Sequence, residues 1–187
     1  MEKKFKIIKL AYRIFLLAFA LSLAMSFLSQ TIMDGSTLIF KLIILLLIIL
    51  LGILFDMIGV AVAVCNPAPF HSMASKKNPI AKIAIKLIKK ASLVATFSND
   101  VIGDIAGIIS GAAVASIVYK IMNFKLPFSF TVISMILSGL VAGLTVGGKA
   151  IGKEFAINNS KVIIYNVAKV IYYTKYFFTL KWIRKLK

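Results

Sequence analysis

The chain has few acidic residues: Asp and Glu number 6 of 187 residues, against 23 Lys and Arg, and the formal net charge is +17 at pH 7. Its one cysteine, Cys65, excludes an intramolecular disulfide. With one histidine, His71, a zinc site of His and Cys ligands within one chain is not expected. No segment is long and polar enough for a soluble domain, because 60% of the residues are hydrophobic and the mean hydropathy is +0.97. This composition predicts an all-α integral membrane protein.

Further classes of function are excluded by what the chain lacks. It carries no Ser/His/Asp set, no cluster of metal-ligand residue types and no phosphate-binding loop, so we do not expect an enzyme. The positive charge does not indicate nucleic acid, because the lysines flank apolar runs. We expect them to meet anionic membrane lipids instead.

Apolar runs predict about four membrane-spanning helices, at residues 10–33, 39–64, 93–119 and 128–148. The first run resembles a signal peptide in its basic-then-apolar order. It is long for that purpose, it contains Arg13 and it has a weak cleavage pattern. We therefore interpret it as a retained span.

Two basic segments accompany the spans. Residues 76–91 predict an amphipathic helix, with Lys82, Lys86, Lys89 and Lys90 on one side and Ile80, Ile83, Ala84, Leu87 and Ile88 on the other. Such a helix lies in the headgroup plane, or alternatively in a small cytoplasmic cap. In the tail, aromatic residues alternate with lysines, which is typical of the membrane interface. These aromatic residues are Tyr165, Tyr172, Tyr173, Tyr176, Phe177, Phe178 and Trp182.

The distribution of positive charge predicts the orientation. Of the 23 basic residues, 20 lie in the N-terminal stretch, in the 65–92 connection or from Lys149 onward, and the other three are Lys41, Lys120 and Lys125. Because cytoplasmic loops carry an excess of Lys and Arg, both termini are expected in the cytoplasm, with the protein in the plasma membrane.

Three of the acids lie inside apolar runs. Asp56 is within LIILLLIILLGILFDMIGVAVAV, and Asp100 and Asp104 lie four residues apart, on one helix face, in SNDVIGDIAGIISGAAVASIVY. A carboxylate in hydrocarbon is costly unless it meets a cation, water or a polar partner. The acids therefore predict an ion or proton pathway, or alternatively a structural polar contact between helices or with a lysine.

Glycines recur every four residues on the last two predicted spans, at Gly103, Gly107, Gly111, Gly139, Gly143 and Gly147. This spacing lets helix backbones approach closely, either within one protomer or between two copies. The pair Gly147-Gly148 is expected to end the last span. It would do so either as an ordinary helix stop or as a turn whose free carbonyls coordinate a hard cation.

Three segments agree in order and spacing with one known family: FDMIGVA at 55–61, SNDVIGD at 98–104 and GKAIGK at 148–153. They are similar to the patterns F-S-G-x-E-x-A, G-N-x-x-x-N and G-E-I-x-P-K. Asn78 stands where that family has an asparagine that opens a basic amphipathic segment. Over about residues 50–175 the chain thus resembles the transmembrane domain of the cyclin M/CorC family of magnesium transport proteins.

The resemblance implies three core helices, a belt of juxtamembrane helices and usually a homodimer. It also implies a bound Mg²⁺ held by hydroxyls, an asparagine, carbonyls and an acid. The expected metal ligands are Asp56, Ser98, Asn99 and Gly148 by match to the motifs, with Asp100 and Asp104 added from their position in the apolar run.

The expected organisation has three parts. Residues 1–36 form an added N-terminal membrane helix and turn. Residues 37–157 form the three-helix core with the basic helix at 76–91. Residues 158–187 form a basic, aromatic interfacial helix.

The chain also departs from the family. The glutamates of the first and last motifs are replaced by Gly59 and Lys149, and the regulatory CBS domains are not among these residues. Lys149 either acts as an internal counter-ion for the acids or extends to the cytoplasmic interface while the acids hold a cation. We therefore expect a divalent cation transporter or transport-related protein, with magnesium as the ion. The alternative is a transport-inactive membrane interaction or regulatory protein on the same fold.

Overall fold

The computed structural model describes residues 2–124, 127 and 129–184, with side chains for residues 8, 11, 12, 14–124, 127 and 129–174. Every regular element in these residues is a helix. The elements are α1 (Glu2–Met33), α2 (Leu38–Val64), α3 (Ala68–Ser75), α4 (Pro79–Lys89), α5 (Ala91–Ala95), a π segment (Thr96–Gly103), α6 (Asp104–Met122), α7 (Phe130–Asn158) and α8 (Ser160–Arg184). Lys125 and the side chains of Tyr176, Phe177, Phe178 and Trp182 lie outside the described residues.

Four stretches are long and apolar enough to cross a membrane: Ile14–Met33, Leu38–Val64, Ala91–Met122 and Phe130–Asn158. The third combines α5, the π segment and α6. Because a bilayer offers no water to the backbone, each span must satisfy its own N–H and C=O groups, and a helix does so. The prediction of an all-α chain with four helices long and apolar enough to cross a membrane is confirmed for the described residues.

The third span is not the uninterrupted α-helix that the sequence predicts. Its residues Thr96–Gly103 form a π-helix, in which the hydrogen bonds run from residue i to i+5 instead of i+4. Such segments are rare in proteins overall, and those that do occur are often found at functional sites. Ser98, Asn99 and Asp100 all lie in this segment, so the candidate residues of this span sit on an irregular stretch of backbone.

The prediction that Gly147-Gly148 ends the last span is wrong. α7 continues through both glycines and through Gly152 to Asn158. Leaving the helix within lipid would cost the backbone hydrogen bonds with no water to replace them. The cost of those lost hydrogen bonds outweighs the cost of keeping glycine in a helix, which is about 1 kcal/mol relative to alanine.

The chain divides into two compact units, and the first comprises residues 1–55 and 100–150. There α1 packs along α6. One apolar cluster is formed by Ile14, Ala18, Leu21, Ile48, Val101, Ile105 and Ile109. A second is formed by Met33, Leu45, Ile49, Ala113, Val114, Ile117, Val118 and Val141. Lys41 is buried in this unit, and its Nζ donates to Ser116 Oγ at 2.7 Å.

The second unit comprises residues 56–99 and 151–187. In it α4 packs against α3 and α8, around a core of Ala61, Val62, Cys65, Phe70, Ala84, Ala156, Ile164 and Ala168. Asn78 caps α4 by accepting a hydrogen bond from the Ile80 N–H at 2.9 Å, and Pro79 takes the first helical position. The predicted amphipathic character of α4 is confirmed, because its lysines are exposed while Ala81 and Ala84 are buried.

Candidate cation site

Of the three candidate acids, Asp56 alone is buried. This residue of α2 is 5% exposed, and its Oδ2 has no hydrogen-bond partner in the described chain. The Nζ of Lys153 on α7 lies 3.8 Å from that oxygen, which is too long for a hydrogen bond. The ammonium therefore offsets part of the carboxylate charge, and the oxygen keeps its full capacity to accept.

The amide of Asn99 lies directly over the backbone of Gly59. A methyl group built on Gly59 would overlap Asn99 Oδ1 and would stand 3.0 Å from Nδ2. Asn99 Oδ1 is itself buried and lacks a hydrogen-bond partner among the described residues. Only glycine at position 59 allows the π segment to approach α2 this closely.

These two oxygens belong to one stretch of α2. Asp56 and Gly59 are three residues apart, so they are neighbours on one face of the helix. Asn99 rests on that face, one turn from the carboxylate. The adjoining residue, Ser98, is buried as well, with 4% of its surface exposed. Buried oxygen acceptors normally have a donor, so two without one indicate that a donor or cation completes the arrangement.

The chemistry of these groups fits a hard cation. Carboxylate, amide and hydroxyl oxygens are the ligands of Mg²⁺ and Ca²⁺ in proteins. No group of three or more His, Cys, Asp or Glu comes together within the described part of the chain. Mg²⁺ keeps several of its waters and is commonly held by one or two carboxylates. Asp56 with neutral oxygens therefore fits Mg²⁺ better than it fits an ion that needs several carboxylates.

Asp100 and Asp104 are placed differently from Asp56. Both are exposed, and neither forms a hydrogen bond or an ion pair with any described group. A carboxylate on the outside of a membrane-spanning helix needs water, a cation or a partner protein. These two acids therefore do not share the burial that makes Asp56 a candidate ligand.

Lys153 is the lysine that pairs with Asp56, and the sequence did not single it out. Lys149, the expected counter-ion, is half-buried and makes no ion pair with a described acid. Lys153 stands four residues later in the GKAIGK segment and so shares a helix face with it. That spacing was the available signal, although it could not tell which lysine reaches Asp56. Gly148, the other expected ligand of this segment, lies inside continuous α7 with Ile53 against it.

The glycine rows are mostly open within the protomer. Gly103 meets α2, since its carbonyl oxygen is 3.8 Å from a Cβ built on Gly52. Nothing lies within 4 Å of a Cβ built on any of five others: Gly107, Gly111, Gly139, Gly143 and Gly147. Packing within one protomer thus accounts for Gly103, and contact of the others with a second copy stays a prediction.

Just beyond the second span, Cys65 is buried. Burial raises the pKa of its thiol, and a hydrogen bond with Ser160 acts in the opposite direction. A thiol with a raised pKa is a poor nucleophile and a poor metal ligand at neutral pH. Cys65 is therefore a packing residue of the second unit.

Comparison with known proteins gives no match: no family model, no curated protein and no solved structure is significantly similar to this chain. The resemblance to the cyclin M/CorC family accordingly depends on the three motifs, and the site described above depends on geometry.

Proposed function

We propose that this chain is a multi-pass membrane protein that binds and transports a divalent cation, with Mg²⁺ as the ion. Asp56 supplies the charge, and Asn99 and Ser98 supply neutral oxygens. The single observation that carries this proposal is the pair of buried oxygens without donors, Asp56 Oδ2 and Asn99 Oδ1, on one stretch of α2.

The physical argument starts from the cost of Asp56. An ionised carboxylate inside a membrane helix is maintained only with compensation, and the one ion pair it has is long and half exposed. A divalent cation would supply two charges and would accept lone pairs from both unpaired oxygens. Mg²⁺ would complete its shell with water.

The π segment supports the same proposal. The segment contains Asn99, whose amide lies over Gly59 of α2, and such segments occur frequently at functional sites.

The proposal includes the setting of the site. Both termini and the 65–92 connection face the cytoplasm of a plasma membrane, in line with the excess of Lys and Arg there. The exposed lysines of α4 meet anionic lipid. The three helices that follow α1 form the core, and two copies form a homodimer in which the open glycines of α6 and α7 make contact.

A second candidate function is that of a transport-inactive membrane interaction or regulatory protein. The exposure of Asp100 and Asp104 favours it, because two unpaired acids on one membrane helix would suit a partner helix that carries Lys or Arg. In this case the Lys153–Asp56 pair is permanent and purely structural.

Thermal unfolding of the detergent-purified protein across a magnesium titration tests the proposal. A ligand that binds only the folded state adds about 2.7 kcal/mol of stability at 100 times its Kd. We expect a saturable rise of the unfolding midpoint that is lost in Asp56→Asn.

Asp104→Asn is the matched control, because it removes an acid of the same chemistry from an exposed position, and it should keep the response. No rise in the wild-type protein contradicts cation binding. A rise lost only in Asp104→Asn would place cation binding at the exposed acids and contradict a site at Asp56.

A further inference from the structure

The ion pair at the candidate cation site is asymmetric. The Asp56 side chain is 7% exposed, whereas that of Lys153 is 51% exposed, and the two charged atoms are 3.8 Å apart. The Asp56 carboxylate is largely removed from solvent, whereas the Lys153 side chain remains in contact with it. Burial therefore holds Asp56 in position, and the exposed side chain of Lys153 has solvent into which it can withdraw.

We propose that Lys153 is a displaceable internal counter-ion, which competes with the metal cation for Asp56 and sets both the affinity and the charge selectivity of the site. This inference rests on the proposed function, since it requires that a cation binds at Asp56.

Competition follows from electrostatics. A metal ion on Asp56 Oδ2 would stand close to the ammonium of Lys153, and two cations so close repel in a low-dielectric environment. Lysine has a flexible four-carbon stem and a strongly hydrated head. Because half of this side chain already meets solvent, it can withdraw at small cost. Either the lysine or the metal ion then neutralises the carboxylate.

Such an exchange has two consequences. First, Asp56 is never left as an uncompensated buried charge, which is the strongly destabilising state of a broken buried pair. Second, a monovalent ion gains little by replacing an ammonium of equal charge, whereas a divalent ion adds a second charge to the same carboxylate. Lys153 therefore selects against monovalent cations.

The test compares wild-type protein, Lys153→Met and Lys153→Gln in detergent, with MgCl₂ and then KCl titrated at constant ionic strength made up with choline chloride. Loss of an ion pair whose lysine is half exposed, worth up to about 1 kcal/mol, corresponds to a change in affinity of up to about fivefold. We expect both variants to reach half of the magnesium-dependent midpoint shift at about two to five times less MgCl₂. We also expect KCl to produce a saturable shift in the variants that is absent in the wild-type protein.

Two further variants complete the design. Lys161→Met removes the same charge from an exposed position of α8 that has no described ion-pair partner, and it should behave as wild type. Lys153→Arg retains the charge and should show no gain in magnesium affinity.

The outcomes separate this inference from the proposed function. If the wild-type protein and the Lys153 variants respond to MgCl₂ at the same concentration, the site stands and the competition is refuted. A weaker response in the variants also refutes it, because the lysine would then assist binding. If none of the proteins responds, cation binding itself is wrong and the role of Lys153 with it.

Discussion

Substituting Gly59 by alanine separates the contribution of Asn99 to magnesium binding from that of the Asp56 carboxylate. The new methyl group would occupy the position of the Asn99 amide, whose atoms are the three nearest to it. The amide must then move off the face of α2. Since Asn99 Oδ1 has no described hydrogen-bond partner to lose, the movement breaks no hydrogen bond of that oxygen.

Two effects of opposite sign set the change in stability. Overpacking of a close contact costs about 1–3 kcal/mol, and alanine improves on glycine within a helix by about 1 kcal/mol. We therefore expect the free energy of unfolding to change from about zero to a loss of about 2 kcal/mol. Magnesium binding should suffer more than stability, because one of its oxygens is withdrawn.

Denaturant unfolding in detergent, with and without saturating MgCl₂, measures both quantities. Gly107→Ala is the matched control, because a Cβ at that position meets nothing within 4 Å, and it should neither lose stability nor change the response to magnesium. Adding Asn99→Ala to Gly59→Ala should restore the lost stability but not the response. If Gly59→Ala gains about 1 kcal/mol from helix propensity and binds magnesium as before, Asn99 does not lie on Gly59 and the site is wrong.

Three further predictions follow from other parts of the fold. Ser116→Ala removes the hydroxyl that accepts a hydrogen bond from buried Lys41 and should cost about 1.5–3 kcal/mol of unfolding free energy. The hydroxyl of Ser110 donates to a carbonyl of its own helix, so Ser110→Ala should cost less. Because the pKa of Cys65 is raised above 9.0, iodoacetamide should alkylate it more slowly in the folded than in the denatured protein. The stability that its neutral form contributes should be complete below pH 9.0 and decline only as the pH rises through the folded pKa. Gly143→Leu, at a position open within the protomer, should cost no unfolding free energy and should reduce the dimer fraction in light scattering. An unchanged dimer fraction would mean that this glycine row faces lipid.

Much of the architecture follows from the sequence alone, because the bilayer imposes strong rules. An apolar run of 20 or more residues must be a helix in lipid, which gives the four spans. The spacing of lysines three and four residues apart, with isoleucine, leucine and alanine between them, gives α4, and Asn78-Pro79 gives its beginning. In each of these the signal lies in residues close together in the chain.

The π segment and the continuation of α7 could not be predicted from such local patterns. The π segment at Thr96–Gly103 has more residues per turn than an α-helix. No change in amino-acid composition along the span marks it. α7 passes through Gly147-Gly148 because lipid penalises a broken helix more strongly than glycine weakens it. Both features depend on the surroundings of the backbone.

The candidate site was predictable in part. Periodicity gives the face on which an acid lies, but not whether that face meets protein or lipid, so Asp56, Asp100 and Asp104 looked equivalent until burial distinguished them. The same limit applies to Lys149 and Lys153, which share a face. The contact of Asn99 with Gly59 joins residues 40 positions apart, and only the packed structure reveals it.

Magnesium uptake into proteoliposomes, followed with a trapped magnesium-sensitive dye, tests the central claim most directly. We predict saturable uptake by the wild-type protein, loss of uptake in Asp56→Asn and retained uptake in Asp104→Asn. Wild-type uptake no faster than that of empty liposomes, or undiminished uptake by Asp56→Asn, would contradict a transport site built on the buried carboxylate of α2.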